Sequence, residues 1–507
     1  MYDHAATATS TDHVDLLIIG AGVSGIGAAY HLQDELPQKT YAILDAREDL
    51  GGTWDLFRYP GIRSDSDLHT FGYAFKPWTN EKAIADGPAI KAYIRETAEE
   101  NGIDAHIRYR HRVASAEFST ERGLWTVKGE RLGGDDPGPF EMTAQWLYSG
   151  SGYYRYDQGY MPHFEGLAEF EGTIVHPQHW PEDLDYAGKR VVVIGSGATA
   201  VTLIPALADD GAGRVTMLQR SPTYVLPVPE KDGLAIRLRK LLGDERAYAI
   251  TRRKNIFRQR AMYGLSQRFP RLARRLIRWV NKKELEGSGC DVDVHFKPKY
   301  GPWDQRLCAV PDGDLFRTIR EGRAEVVTDT IETFTPKGIR LASGRELEAD
   351  IIVTATGLNV LLFGGIEMSV DGEEVSFADT VAYKGMMLSD VPNFVFAIGY
   401  TNSSWTLKVD LVCEYMCRLI DYADRTGREI AVPEVHDPGM ELRPLLDFQA
   451  GYVMRSLGDL PKQGTEAPWF LTMNYNRDAK YLRDSPVDEE MRFSSRSREP
   501  EPEKLAV

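Results

Sequence analysis

Two stretches of this chain place small residues where a phosphate-bearing nucleotide needs them. Gly20-Ala21-Gly22-Val23-Ser24-Gly25 follows an apolar run at residues 15–19 and opens a helical pattern. Gly20 permits the tight strand-to-helix turn, Gly22 lets the backbone approach a pyrophosphate, and Gly25 lets helix and strand pack closely. The helix start adds free N–H groups and a positive dipole end. Roughly twenty residues on, a second strand-like run ends at Asp45, where a carboxylate can accept from a ribose hydroxyl. The second stretch, Gly195-Ser196-Gly197-Ala198-Thr199-Ala200, repeats this grammar after residues 190–194, with alanine in place of the third glycine. Its following strand, residues 214–218, leads into Arg220 instead of an acid. A guanidinium there suits a 2′-phosphate, which a carboxylate would repel. The plain alternative for Arg220 is a surface cation at a strand end.

One chain with two such loops predicts two dinucleotides, one resident and one exchanged: FAD at the first and NADPH/NADP+ at the second, with hydride passing between them. The cysteines bear on where the electrons then go. Cys290, Cys308, Cys413 and Cys417 include no CxxC pair beside either loop and no zinc-ligand spacing, so a disulfide reductase and a metal site are both disfavoured. Cys413 and Cys417, four apart in a helical pattern, read as core thiols. Oxygen is the better acceptor.

The elements that must position these loops follow from pattern. The reading is an α/β chain with two Rossmann-like dinucleotide-binding domains and a helical insertion. The FAD domain is expected to be discontinuous, 1–150 plus 380–507, around an NADP domain at 155–375 that carries the insertion at about 225–300. Residues 164–186, rich in Pro, His and Trp, look like linker, and a tail at 486–507 is charged enough to be disordered. Residues 233–283 are helical and basic, with Arg237, Arg239, Lys240, Arg252, Arg253, Lys254, Arg258 and Arg260. They read as a solvated cover on a nucleotide domain, and nothing in the sequence promotes the alternative, a membrane-binding surface. The net charge of −15 argues against nucleic acid as a partner. No signal-peptide pattern opens the chain, and its most apolar stretch, 351–363, is too short to span a bilayer, so a cytoplasmic enzyme is expected.

Phe170-x-Gly172-x-x-x-His176-x-x-x-Trp180-Pro181 and Gly51-Gly52-Thr53-Trp54, continuing through Tyr59-Pro60-Gly61 to Asp65, carry a resemblance. Together they are similar to the two patterns of type I Baeyer–Villiger monooxygenases, class B flavoprotein monooxygenases. Within that family the segments 51–67, 302–308, 383–388 and 399–408 resemble the ethionamide-activating subgroup. The resemblance covers nearly the whole chain. It implies an FAD-containing, NADPH- and O2-dependent enzyme that converts ketones to esters or lactones through a C4a-peroxyflavin and also oxidises sulfides or thioamides. It implies a role for Arg306 as the catalytic arginine and for Asp65 as the carboxylate behind it. Gly51, Gly52, Trp54 and Arg58 would lie along the flavin, and Trp469 would meet the nicotinamide nucleotide. His176 and Trp180 would couple domain motion to the cofactors, with no acid–base role for His176.

A guanidinium fits the implied chemistry on its own terms, being cationic at any working pH and able to stabilise both a peroxide anion and a carbonyl-derived oxyanion. Two departures stand out. Gln305 occupies a position where many family members have a lysine for the 2′-phosphate, which shifts that task to Arg220. Residues 148–152 replace a more regular crossover, leaving the geometry of the first domain crossing open. Tyr59, Phe71, Tyr73, Met386 and Met387 suit either an apolar substrate or a core. The alternatives are a flavin monooxygenase acting mainly on S or N centres, an NADPH oxidase, and a nucleotide-binding redox sensor. The sequence does not indicate the physiological substrate or the oligomeric state.

Overall fold

The computed structural model describes residues 12–134, 136–305, 307–446 and 451–496. The strand Asp12–Ile19 is nearly continuously buried from Leu16 onward, as a central parallel strand with both faces covered must be. It pairs in parallel with Tyr41–Leu44 on one side and Gly138–Ser149 on the other. The first sheet continues antiparallel through Leu124–Arg131 and His111–Ser119, and Phe394–Phe396 also joins Gly138–Ser149.

The second sheet is wholly parallel. Its order is Ala324–Thr328, Arg214–Gln219, Arg190–Ile194, Ile351–Thr354 and Thr173–Val175. Two doubly wound units in one chain bear out the fold class read from the glycine loops.

Three boundaries differ from expectation. Thr173–Val175 is an edge strand, and Phe170, Val175 and Gln178 are buried, so residues 164–186 are not plain linker. Three β-favouring residues beside an open sheet edge are enough to pair, although the stretch is too short to show a period. Glu367–Val370 pairs in parallel with His111–Ser119 of the first sheet, so the chain has returned to the first domain before residue 375. Met491–Ser494 pairs antiparallel with Ile430–Pro433, so the tail expected from 486 is paired structure through this strand. Residues 497–507 lie outside the described residues.

The insertion is helical, as expected: Gly233–Leu242, Asp244–Arg268 and Pro270–Glu284. Arg252 departs from the expected solvated face. It is buried, donating to the carbonyls of His69, Thr70 and Gly72 and pairing with Asp410 at 3.2 Å. Cys413 and Cys417 are buried on the helix Thr406–Thr426, as expected of core thiols. No helix among the described residues is long and apolar enough to cross a membrane.

Candidate functional site

The first glycine loop is held by contacts that tolerate no side chain at two of its glycines. Gly20 has a φ of +100°, and a Cβ on Gly25 would lie 1.9 Å from the Gly20 carbonyl oxygen. The crossover at 148–152, left open by the sequence, closes against this loop: the Gly150 N–H donates to the Ile19 carbonyl at 2.8 Å. The Gly51 N–H donates to the Ala21 carbonyl at 3.0 Å, bringing the Gly51-Gly52 pair over Gly22.

The helices that follow the two loops, Val23–Glu35 and Ala198–Asp209, begin at Gly22 and Gly197 with no side-chain cap. Elsewhere Asp67, Asp86 and Asp232 cap the starts of other helices. First-turn N–H groups need acceptors, and a phosphate is one. Both helix starts border one cavity of about 740 Å³, within the usual range of about 300–1,000 Å³ for ligand sites. Gly20, Gly22, Asp45, Gly52, Trp54, Asp65 and Thr199 line it, together with Tyr59, Phe71, Tyr153, Ala309 and Trp405. A cavity floored by uncapped helix starts and close-packed glycines fits a dinucleotide with a flat ring system.

Asp45 is more committed than its strand-end position suggested. Its Oδ2 accepts from the Ala21 N–H and its Oδ1 from the Arg47 N–H, each at 2.8 Å. Burial raises its pKa against those two bonds. Each carboxylate oxygen keeps a further lone pair, so Asp45 can fix the loop and still accept from a hydroxyl. Burial pushes the Tyr59 phenol up to about 12, with Thr199 of the second loop beside it. Tyr59 and Phe71 border the cavity, whereas Tyr73, Met386 and Met387 are core.

Asp55 went unnoticed in the sequence. Its buried carboxylate receives Arg47 at 2.5 Å and Lys91 at 2.6 Å. Burial alone would raise its pKa, but Lys91 and Arg47 hold it below the usual carboxylate range. This pins the segment after Gly52 from behind. Only the convergence of Arg47 and Lys91, with Arg58 at 3.5 Å, marks it, and a lone acid in sequence carries no such signal.

Other expected residues fall elsewhere. Arg58 is not among the cavity residues; it pairs with Glu182 at 2.5 Å and faces a shallow recess that it shares with Trp180. Trp469 is buried, its indole N–H donating to Glu490 at 2.5 Å and its ring set edge-on to Tyr383, so it does not line the cavity either. Arg220 ends the strand Arg214–Gln219, exposed and with no carboxylate in ion-pair range among the described residues. His176 donates from Nε2 to the Gly357 carbonyl and accepts at Nδ1 from the Gln178 N–H, both at 3.2 Å. Burial keeps the ring below its ordinary pKa. Phe170 packs over Gly172, where a Cβ would sit 2.5 Å from the Asp350 carbonyl oxygen. Arg306 lies outside the described residues; the strand Leu307–Pro311 follows it and brings Ala309 to the cavity.

Residues 18–83 match the NAD(P)-binding Rossmann-like domain, and residues 85–359 match the flavin-binding monooxygenase-like family. Over 487 residues the chain is 55% identical to the FAD-containing monooxygenase EthA of Mycobacterium tuberculosis (strain ATCC 25618 / H37Rv), covering 96% of this chain and 99% of that protein. The chain belongs to the flavin-binding monooxygenase family. A second EthA, from Mycolicibacterium smegmatis, is 53% identical over 480 residues, covering 95% and 96% of the two chains. This flavin-binding monooxygenase also shares its fold with an oxidized steroid monooxygenase bound to NADP (TM-score 0.73, 22% identity, 95% of this chain and 100% of the other). An open form of cyclohexanone monooxygenase is similar at a TM-score of 0.74 and 22% identity, over 96% of this chain and 100% of that one. The family assignment agrees with the resemblance carried by residues 51–65 and 170–181.

Proposed function

We propose that this flavin-binding monooxygenase holds FAD in its first domain, takes NADPH in its second, and inserts one oxygen atom of O2 beside the carbonyl of a ketone. The balance is ketone, O2, NADPH and a proton giving ester or lactone, NADP+ and water. The observation that carries the reading is the single cavity bordered by both glycine-loop helix starts, with Asp65 in its wall.

FAD, when bound, accepts hydride from NADPH and activates O2. The protein's own groups do the rest. The uncapped N–H groups after Gly22 and Gly197 take the pyrophosphates. Asp45 accepts from the FAD ribose, and Arg220 takes the 2′-phosphate that distinguishes NADPH. Arg306 supplies a permanent cation for the anionic oxidant and for the oxyanion that forms at the substrate carbonyl. Asp65 would orient that guanidinium, Trp54 and Gly52 would hold the flavin, and Tyr59 and Phe71, which line the same cavity, would offer apolar surface to the substrate. Sulfides and thioamides, being nucleophiles themselves, would instead take oxygen from the protonated, electrophilic form of the oxidant and leave as S-oxides.

The test is a panel of simple ketones and thioethers with the purified yellow protein, scoring ester, sulfoxide and hydrogen peroxide per NADPH consumed. Ester formation coupled to NADPH supports the reading. Sulfoxide with no ester from any ketone would move the activity to sulfur, and stoichiometric peroxide with every substrate would make the protein an oxidase.

A further inference from the structure

The three insertion helices carry a surface that neither nucleotide domain uses. From Gly233 to Glu284 there are sixteen Lys and Arg against three Asp and Glu, a net charge of +13 within a chain of −15. The same segment holds eleven of the sixteen large apolar side chains that are exposed among the described residues. Leu241 is 79% exposed, Phe257 71%, Leu272 63%, Leu265 60% and Trp279 60%. On Pro270–Glu284 the positions Leu272, Leu276 and Trp279 recur at four and three residues, so they share one face. The opposite face buries Ile277 and Asn281. The helix is thus held by one side and presents a second apolar stripe to the outside.

Cations rim that stripe. Arg268 stands over the Phe269 ring at 5.8 Å and Lys283 over the Trp279 ring at 5.9 Å. Arg268, Arg271, Arg275 and Lys283 have no carboxylate in ion-pair range among the described residues. Soluble chains seldom expose apolar surface in such a cluster without a partner for it. A helix with Leu and Trp on one stripe and Arg and Lys along its borders suits the boundary between acyl chains and headgroups.

We propose that the insertion is a membrane-docking surface whose occupant is the face of an anionic phospholipid bilayer. The charge selects this occupant. A second copy would bring two cationic surfaces together, and a nucleic acid would satisfy the arginines while leaving the leucines, Phe257 and Trp279 in water. Anionic headgroups over hydrocarbon meet both needs.

The docked helices also reach the cavity wall. On the inner side of Asp244–Arg268, Asn255 and Gln259 donate to the Asp67 carboxylate at 2.9 and 2.8 Å, and Gln259 accepts from Ser403 at 3.2 Å. Ser403 and Phe71 line the cavity. Docking therefore sets the site beside a reservoir of lipid-soluble compounds.

The experiment is co-sedimentation of the full-length, flavin-loaded protein with phosphatidylcholine vesicles prepared with and without phosphatidylglycerol. Binding to the anionic vesicles that weakens with salt is the expected result. Leu272→Ser, Leu276→Ser and Trp279→Ser combined should lower that binding by roughly tenfold or more, with flavin content and NADPH oxidation unchanged. Arg271→Gln with Arg275→Gln should remove the preference for the anionic lipid. No binding to either vesicle would overturn the proposal, as would binding that the triple variant retains. A dimer in sedimentation velocity that the triple variant converts to monomer would reassign the face to a second copy. Salt-sensitive binding to a DNA duplex that survives in the triple variant would reassign it to nucleic acid.

Discussion

The Nε2–H of His176 donates to the carbonyl oxygen of Gly357 at 3.2 Å, tying the fingerprint segment to the loop by which the chain leaves the second sheet. The ring also fills the space over Gly159, where a Cβ would fall 2.0 Å from it. Three segments of the chain, at residues 159, 176 and 357, therefore meet on one neutral imidazole. His176→Ala should cost about 1–3 kcal/mol through the unsatisfied carbonyl. It should also raise the fraction of NADPH recovered as hydrogen peroxide, because the domains lose a fixed contact. A thermal melt together with a peroxide assay checks this; a destabilised variant with unchanged coupling would confine His176 to stability.

Arg306→Ala should leave FAD bound and reducible by NADPH, because hydride transfer needs no stabilised anion. Ester formation should fall by about 100-fold or more, the scale of losing one preorganised electrostatic donor. Anaerobic flavin bleaching and product analysis separate the two steps. Retained ketone oxidation would remove Arg306 from the site.

Arg220→Ala should raise the KM for NADPH by about 10- to 100-fold, the loss of one charge-assisted contact, and leave the KM for NADH unchanged. Arg220 is exposed and free of carboxylate partners among the described residues, so its removal should barely move the melting temperature. Equal effects on both nucleotides would place the 2′-phosphate elsewhere.

The two loops should respond differently to an added methyl. Gly25→Ala drives a Cβ into the Gly20 carbonyl and should cost about 1–3 kcal/mol as overpacking, with loss of the yellow cofactor. Gly197 has nothing within 4 Å of its Cβ position. Gly197→Ala should therefore melt like the parent and show itself only as a higher KM for NADPH. Absorbance at the flavin band, melting curves and nucleotide titrations report all three quantities.

His31 supplies a pH dependence. Burial disfavours its charged ring, but Asp410 at 3.6 Å and Glu35 at 3.5 Å outweigh this and raise its pKa from 6.5 to about 9. Arg252, also on Asp410, works against them. Because the folded pKa lies above the unfolded one, the stabilisation is full below pH 6.5 and is lost as pH rises through about 9. Its ceiling is on the order of 3 kcal/mol. The melting-temperature gap between the parent and His31→Gln should be widest below pH 6.5 and close by pH 9; a gap that stays constant would show that folding does not shift the pKa of the ring.

The glycine loops and the fold class were legible in the sequence because each depends on local geometry. A strand, a turn without side chains and a helix start follow one another along the chain, and the pattern records them directly. The two fingerprints were legible for the same reason.

Tertiary structure decided what depends on distant segments meeting. Asp55 became a buried anion only when Arg47 and Lys91 converged on it. Arg58 and Trp469 had motif neighbours suggesting the cavity, yet Glu182 and Glu490 claim their polar groups elsewhere. The strand Thr173–Val175 needed the open edge of Ile351–Thr354 before its residues could read as anything but linker. The basic insertion looked solvated because composition reports how many arginines a helix has, not which face they leave uncovered. Only the packing of Pro270–Glu284 through Ile277 and Asn281 left Leu272, Leu276 and Trp279 outward, and burial is a property of neighbours that one-dimensional spacing does not contain.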